Sequence, residues 1–212
     1  VAGAFIIYTI IWLFNNNPST VVRQLIYNLF YNLNCGIFST PVAVCSSFII
    51  IFIIFGSFLE KTGIGTFFVD LANSLVGSAA GGPAKVAVIS SALEGMYSGS
   101  SVANTVGSGS VTIPTMKRCG YKPEFAAAAE ASASTGGQIM PPIMGAAAFL
   151  MAEFVGVPYF DVVKAAVIPA LLYYIGVWLG VHYEAKKYDL KGTPREELPS
   201  FKKLFVEKGH LA

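Results

Sequence analysis

Apolar residues fall along this chain in long blocks, and the polar residues between them mark where each block ends. Residues 1–14 are apolar and read as the tail of a helix, and the run NNNPS at 15–19 is a turn. Over residues 20–33, Val21, Val22, Leu25, Ile26, Leu29 and Phe30 are interleaved with Arg23, Gln24, Asn28 and Asn32. That spacing predicts an amphipathic helix lying at an interface. Residues 41–59 carry no charge and predict a spanning helix, ended by Glu60 and Lys61. Residues 63–78 are amphipathic again, with Asp70 and Asn73 on one face, and Gly81-Gly82-Pro83 is a breaker.

The next two blocks are of a different kind. Residues 86–116 hold one acidic charge, Glu94, and residues 125–152 also hold one internal charge, Glu130. Each block is interrupted in its middle by small and polar residues, SGSSVAN at 98–104 and TGGQIMPP at 135–142. Residues 162–183 predict an ordinary span. From 184 onward the chain is charged, contains Pro194 and Pro199, and predicts a short helix over 201–207.

Composition turns these blocks into membrane segments. The chain is 54% hydrophobic and 12% charged, whereas soluble domains carry about 25% charged residues. Charge-poor runs of about 20 residues are what a bilayer demands. The net charge of +2 says little, but the placement of the basic residues sets the topology. Lys61, Lys85, Lys117, Arg118, Lys122 and the run between 186 and 208 belong on the cytoplasmic side by the positive-inside rule; only Arg23 and Lys164 fall outside this set. A single crossing by residues 86–116 would put Lys85 and Lys117 on opposite sides. Entering and returning keeps every cluster on one side. The block is also too long for one upright span and each half too short. It therefore predicts a re-entrant helical hairpin with its tip at 99–104. Residues 125–152 then run outward as two half-helices and 162–183 return, with Glu153 and Asp161 at the outer turn and Lys164 snorkelling outward. Trp12 and Trp178 suit the interfacial belt.

Broken helices within a bilayer need a reason, because each unpaired backbone group there costs several kcal/mol, roughly. They persist where they are buried in protein or line a cavity, and ion and substrate sites are built from them. A half-helix ending at a break presents carbonyl oxygens, which suit Na⁺; one starting there presents N–H groups, which suit a carboxylate. At the hairpin tip Ser98, Ser100, Ser101, Asn104 and Thr105 add side-chain oxygens, and Gly99 permits the turn. In the second break Gly136 and Gly137 free carbonyls, Pro141 and Pro142 withhold N–H groups, and Thr135 and Gln138 supply polar side chains. Two such breaks meeting at mid-depth predict one Na⁺ site formed by Ser98, Gly99, Ser100, Ser101, Asn104, Thr135, Gly136, Gly137 and Gln138. Tyr97, Thr105, Met140, Pro141 and Pro142 are the candidates for substrate contact.

Plainer roles compete for several of these residues. Small-residue runs such as 126–129 and 145–148 serve close helix packing. Tyr97, Met140 and Met144 can be packing residues. Glu94 and Glu130 are intramembrane acids and hence functional candidates, although Glu130 stands about two turns from Lys122 and could reach it. Cys35, Cys45 and Cys119 form no CxxC pair, and His182 and His210 lie far from the polar breaks. No zinc, phosphate-loop or other cofactor pattern and no nucleic-acid signature is present. An intramembrane serine hydrolase would take its nucleophile from the tip serines but lacks a base, because His182 is expected at the cytoplasmic end of the last helix. A structural membrane subunit that orients a partner is the third reading.

With SGSSVAN at 98–104 and STGGQIMPP at 134–142 in this order and spacing, joined by FGSFLEKTG at 55–63 and the tail at 183–199, the chain resembles the large permease of tripartite ATP-independent periplasmic (TRAP) transporters. It is most similar to the fused permeases of the TAXI branch, over residues 41–199. The resemblance implies a multi-pass protein of the bacterial or archaeal cytoplasmic membrane that is not an enzyme and works as an elevator driven by Na⁺. It implies import of organic acids or related small organic anions, delivered by a periplasmic solute-binding protein, with a small permease subunit as a further partner. It also implies two inverted repeats, of which one hairpin and one broken helix are present here. Ser100, Ser101 and Asn104 match the hairpin-tip motif, and Gly136, Gly137 and Gln138 the facing break. The expected architecture is thus an all-α polytopic membrane protein. Its parts are a truncated transmembrane helix (1–14), an interfacial segment (15–40), a scaffold helix with an interfacial arm (41–80), a transport repeat (81–183) and a cytoplasmic charged segment (184–212).

Overall fold

A computed structural model describes residues 18–32 and 38–194, together with 196, 198, 199, 201, 204 and 206. The predicted helix tail at 1–14, with Trp12, lies outside the described residues, as do several positions of the predicted helix at 201–207. Every regular element among the described residues is helical, with no strand among them. The chain divides into two units, Val1–Phe48 and Ile49–Ala212.

In the first unit, α1 (Pro18–Ile26) runs on into a π-helical turn over Tyr27–Tyr31. Val22, Ile26, Leu29 and Phe30 are all exposed on it. A second helix, α2 (Thr40–Val44), passes through π-helical Cys45–Ile49.

The second unit begins with α3 (Ile50–Lys61) and α4 (Ile64–Val76). The hairpin region comprises α5 (Gly82–Ser98), α6 (Ser101–Gly107) and α7 (Gly109–Arg118). Then come α8 (Pro123–Thr135), a single 3₁₀ turn (Gly136–Gln138), α9 (Ala146–Val155) and α10 (Tyr159–Lys187). Two helical stretches are long and apolar enough to cross a bilayer, Val42–Lys61 with 20 residues and Tyr159–Lys187 with 29. At 1.5 Å per residue they reach about 30 Å and about 43 Å. Their large apolar side chains face outward: Ile51, Ile53, Ile54 and Phe58 on one, Ile168, Leu172 and Ile175 on the other.

The interior is built from small residues. Helix α5 is buried along most of its length, through Ala84, Val86, Ala87, Val88, Ser90, Ser91, Glu94 and Gly95. On one side α4 covers it with Val69 and Ala72. On the other, Ala126, Ala129 and Ala133 of α8 and Tyr174, Val181 and Ala185 of α10 complete the core with Met116 and Tyr121. Alanine at these positions lets helix backbones approach closely, which is how helices associate where lipid removes the hydrophobic drive between them.

The chain reverses at Gly99, whose φ of 58° is left-handed. Ser100 then caps α6, its hydroxyl accepting from the Ala103 amide at 3.3 Å. The return arm is interrupted at Ser108 and lies against α5, with the Ser91 and Ser108 hydroxyls 3.3 Å apart. Both feet of this hairpin stand at one end of the fold. Lys85 Nζ lies 5.3 Å over the Trp178 ring and Lys122 Nζ 5.3 Å over Tyr188, while the Gly81 amide donates to the Leu190 carbonyl at 3.1 Å. Basic residues from three separate stretches are thereby gathered, in keeping with the charge argument. Part of the tail departs from the expected solvated segment. Helix α10 continues to Lys187, and Thr193 donates from its amide to the Gly77 carbonyl at 2.9 Å, pinning the tail to the turn after α4.

Candidate functional site

The two breaks pack against each other. A Cβ on Gly95 would stand 2.5 Å from the Gly137 Cα, and one on Gly99 would stand 2.0 Å from the Met144 carbonyl oxygen. Only glycine permits this approach of α5 to the second break. Gln138 Nε2 donates to Ser101 Oγ at 2.8 Å, the direct side-chain link between tip and break. Residues 139–145 follow in irregular backbone. Their polar groups find partners in the Ile143 amide to Met96 carbonyl bond (3.4 Å), the Gly145 amide to Gln138 carbonyl bond (2.7 Å) and the Tyr159 hydroxyl, which reaches the Pro142 carbonyl at 3.0 Å and also that of Ile143.

The predicted ion-site residues do not all converge. Ser98 Oγ is buried without a hydrogen-bond partner, an orphaned oxygen of the kind a cation would satisfy. Asn104 is 1% exposed; its Nδ2 donates to the Ser91 carbonyl at 2.8 Å and packs against Gly137. Ser100, Ser101, Gly99, Gly136, Gly137 and Gln138 lie at or beside the meeting of the breaks. Thr135 does not: it is exposed, and its hydroxyl donates to the Ala131 carbonyl at 2.7 Å, because the last turn of α8 points it outward. Gly136 is needed for another reason, since a Cβ there would stand 2.7 Å from the Tyr173 ring.

The substrate candidates scatter further. Tyr97 lines a cavity of about 490 Å³ between α3, α4 and the hairpin, together with Glu60, Glu94, Ser98, Ser100 and Asn104. Thr105 gives its hydroxyl to the Ser101 carbonyl at 2.8 Å, and Met140 packs on the alanine core. Pro141 is half-buried and Pro142 exposed, neither of them on that cavity.

Glu94 is 3% exposed and Glu130 0% exposed. Glu130 does not reach Lys122, whose ammonium stands over Tyr188 instead. Its carboxylate is ringed by the hydroxyls of Ser91, Ser108, Thr112 and Ser134. Of these four, none was singled out in the sequence, though Asn104, Ser108 and Thr112 repeat at four-residue spacing and so share one face of the return arm. His182 belongs to the other end of the fold. The whole of α5, about 20 Å by helical rise, separates Ser98 from Lys85, which stands over Trp178 one turn before His182. No tip serine therefore has His182 as a base.

Comparison with known proteins gives the same direction. The sequence model of the DctM component of tripartite ATP-independent periplasmic transporters matches residues 1–211. The C4-dicarboxylate TRAP transporter large permease protein DctM of Pseudomonas aeruginosa is 31% identical over 147 residues, covering 69% of this chain and 34% of that protein. Its namesake in Vibrio cholerae is 28% identical over 151 residues, 71% of this chain and 32% of that one. The corresponding protein of Rhodobacter capsulatus is 35% identical over 91 residues, 43% of this chain and 21% of that one. The chain thus spans about a third of the length of the first two relatives.

Proposed function

The chain belongs to the DctM family of TRAP transporter large permeases, and from that premise we propose that it supplies half of a Na⁺-coupled transport core. It is a membrane transporter component. In this reading Na⁺ sits where the hairpin tip meets the second break, held by oxygens of Ser98, Ser100, Ser101 and Asn104 and by backbone carbonyls around Gly136 and Gly137. Gln138 holds the two breaks together, and Thr135 is left out. Na⁺ is the coupling ion, and no other cofactor is needed. The solute is an organic acid or related small anion, delivered by a periplasmic solute-binding protein across the cytoplasmic membrane with a small permease subunit as partner. Tyr97 is the substrate contact favoured here, since it opens on the cavity; Thr105, Met140, Pro141 and Pro142 serve the shape of the breaks. The relatives' names support the solute class, as two of the three matches over two-thirds of this chain are named C4-dicarboxylate permeases.

The observation that carries this reading is the contact of two helix breaks through Gly95, Gly99 and Gly137 beside the unpartnered Ser98 hydroxyl. Hard oxygen ligands on converging helix ends are what an alkali cation requires. The test is uptake by the intact permease, reconstituted in liposomes with its binding protein. Uptake should collapse when the Na⁺ gradient is removed; uptake indifferent to Na⁺, or needing no binding protein, overturns the proposal.

A further inference from the structure

Glu130 is the most completely enclosed charged side chain among the described residues, and no cation accompanies it: the salt bridge recorded among them is Lys164 with Asp161, at the surface. An unpaired carboxylate in such a place costs several kcal/mol, roughly, unless hydrogen bonds replace its water. Here they do. Oε1 lies 2.5 Å from Ser108 Oγ, 3.1 Å from Ser91 Oγ and 3.3 Å from Ser134 Oγ, and Oε2 lies 2.5 Å from Thr112 Oγ1. One side chain on α8 thereby bonds both arms of the hairpin, through Ser91 on α5 and Ser108 and Thr112 on the return arm. Gly109 makes room for it, since a Cβ there would stand 3.1 Å from Glu130 Cγ. The other buried acid, Glu94, approaches the far side of the same junction at Gly107 and opens on the cavity.

Proton counting links this cluster to the hairpin tip. A hydroxyl has one proton to donate. Ser108 Oγ is within reach of four acceptors: Glu130 Oε1 at 2.5 Å, the Asn104 carbonyl at 2.9 Å, Ser91 Oγ at 3.3 Å and Asn104 Oδ1 at 3.4 Å. A carboxylate is the strongest of these acceptors, and charge-assisted bonds are the short ones. With Glu130 taking the Ser108 proton, Asn104 Oδ1 keeps its lone pairs. Asn104 Nδ2 is already committed to the Ser91 carbonyl, which fixes the side-chain rotamer and leaves Oδ1 3.4 Å from Ser108 Oγ. Without a carboxylate at position 130 the Ser108 proton turns to Asn104, first to its carbonyl at 2.9 Å and, as the hydroxyl rotates, to Oδ1 at 3.4 Å, where it competes with a cation.

We propose that Glu130 is a positioning residue for the coupling cation: by drawing off the Ser108 proton and bonding both hairpin arms, it keeps Asn104 Oδ1 available as a ligand. This rests on the reading that a cation binds where the breaks meet. Glu130→Gln in the intact reconstituted permease should raise the Na⁺ concentration for half-maximal uptake about tenfold, while the rate at saturating Na⁺ changes little. Adding Ser108→Ala to Glu130→Gln removes the competing proton and should recover part of the lost Na⁺ affinity. On an Asn104→Ala background Glu130→Gln should add nothing further. Thr112→Val, a milder disturbance that keeps side-chain volume, should raise the Na⁺ requirement about threefold and serves if Glu130→Gln does not fold. A Glu130→Gln or Thr112→Val protein with lowered thermal stability and an unchanged Na⁺ requirement, or additive losses on combination with Ser108→Ala, overturns the role while leaving the cation site standing. Wild-type uptake indifferent to Na⁺ overturns both.

Discussion

Helices α3 and α5, separated in sequence by α4, are built on opposite plans. On α3 the large apolar residues Ile51, Ile53, Ile54 and Phe58 are exposed and almost nothing is buried. On α5 the buried residues are mostly small, alanines, serines, glycines and two valines, and they include a lysine and a glutamate. A water-soluble protein would invert this, since exposed large apolar surface in water drives association. In a bilayer, lipid solvates isoleucine and phenylalanine as well as protein can, so packing is won by small residues and polar groups gather where protein shields them. The comparison teaches that the hydrophobic helices suit contact with lipid, while the less hydrophobic ones carry the buried polar groups of the candidate site.

Substitutions can break that contrast or sharpen it. The largest effect belongs at Gly95, where a side chain would meet the Gly137 backbone. Gly95→Val should separate the two breaks at a cost on the order of 3 kcal/mol, read as lost uptake and a lowered unfolding temperature in detergent; a folded, active Gly95→Val permease would refute the packing described. Asn104→Ala comes next. It deletes the amide that bonds Ser91 and abuts Gly137, and Na⁺ titration of uptake should show a half-saturating concentration raised about tenfold. Gln138→Ala removes the one bond to Ser101. A net loss of about 1 kcal/mol corresponds to about fivefold in Na⁺ requirement, and an unchanged titration would remove Gln138 from the site. At the other extreme, Ile54→Val on the outer face of α3 should alter unfolding and uptake by no more than about 0.5 kcal/mol; a large loss there would mean that the face packs against protein.

Much of the fold was legible in one dimension. Charge-poor blocks announce the spans, and the positions of Lys85, Lys117 and Lys122 predict a hairpin that returns, which agrees with the way its two feet meet the end of α10. The breaks at 98–104 and 135–142 are visible because glycine, proline and hydroxyl residues interrupt otherwise apolar helices. Within the candidate site, Ser101, Asn104, Gly137 and Gln138 were named and are brought together. Thr135 was named on composition, yet helical phase turns it outward, and phase at the end of a helix cannot be fixed when the exact terminal residue is unknown. Tyr97 falls on a cavity walled by α3 and α4, elements remote from the motif that drew attention to it.

Sequence alone therefore determined the solvent of this protein, the places where its helices break and the family to which it belongs, because each is a property of local composition and order. Tertiary structure alone decided what the buried acids do. Glu130 is eight residues from a lysine in sequence, but the packing of α8 against the hairpin gives it four hydroxyls instead. Those donors come from three helices, up to 39 residues away along the chain. A carboxylate's partners are set by which faces meet, and only the folded arrangement states that.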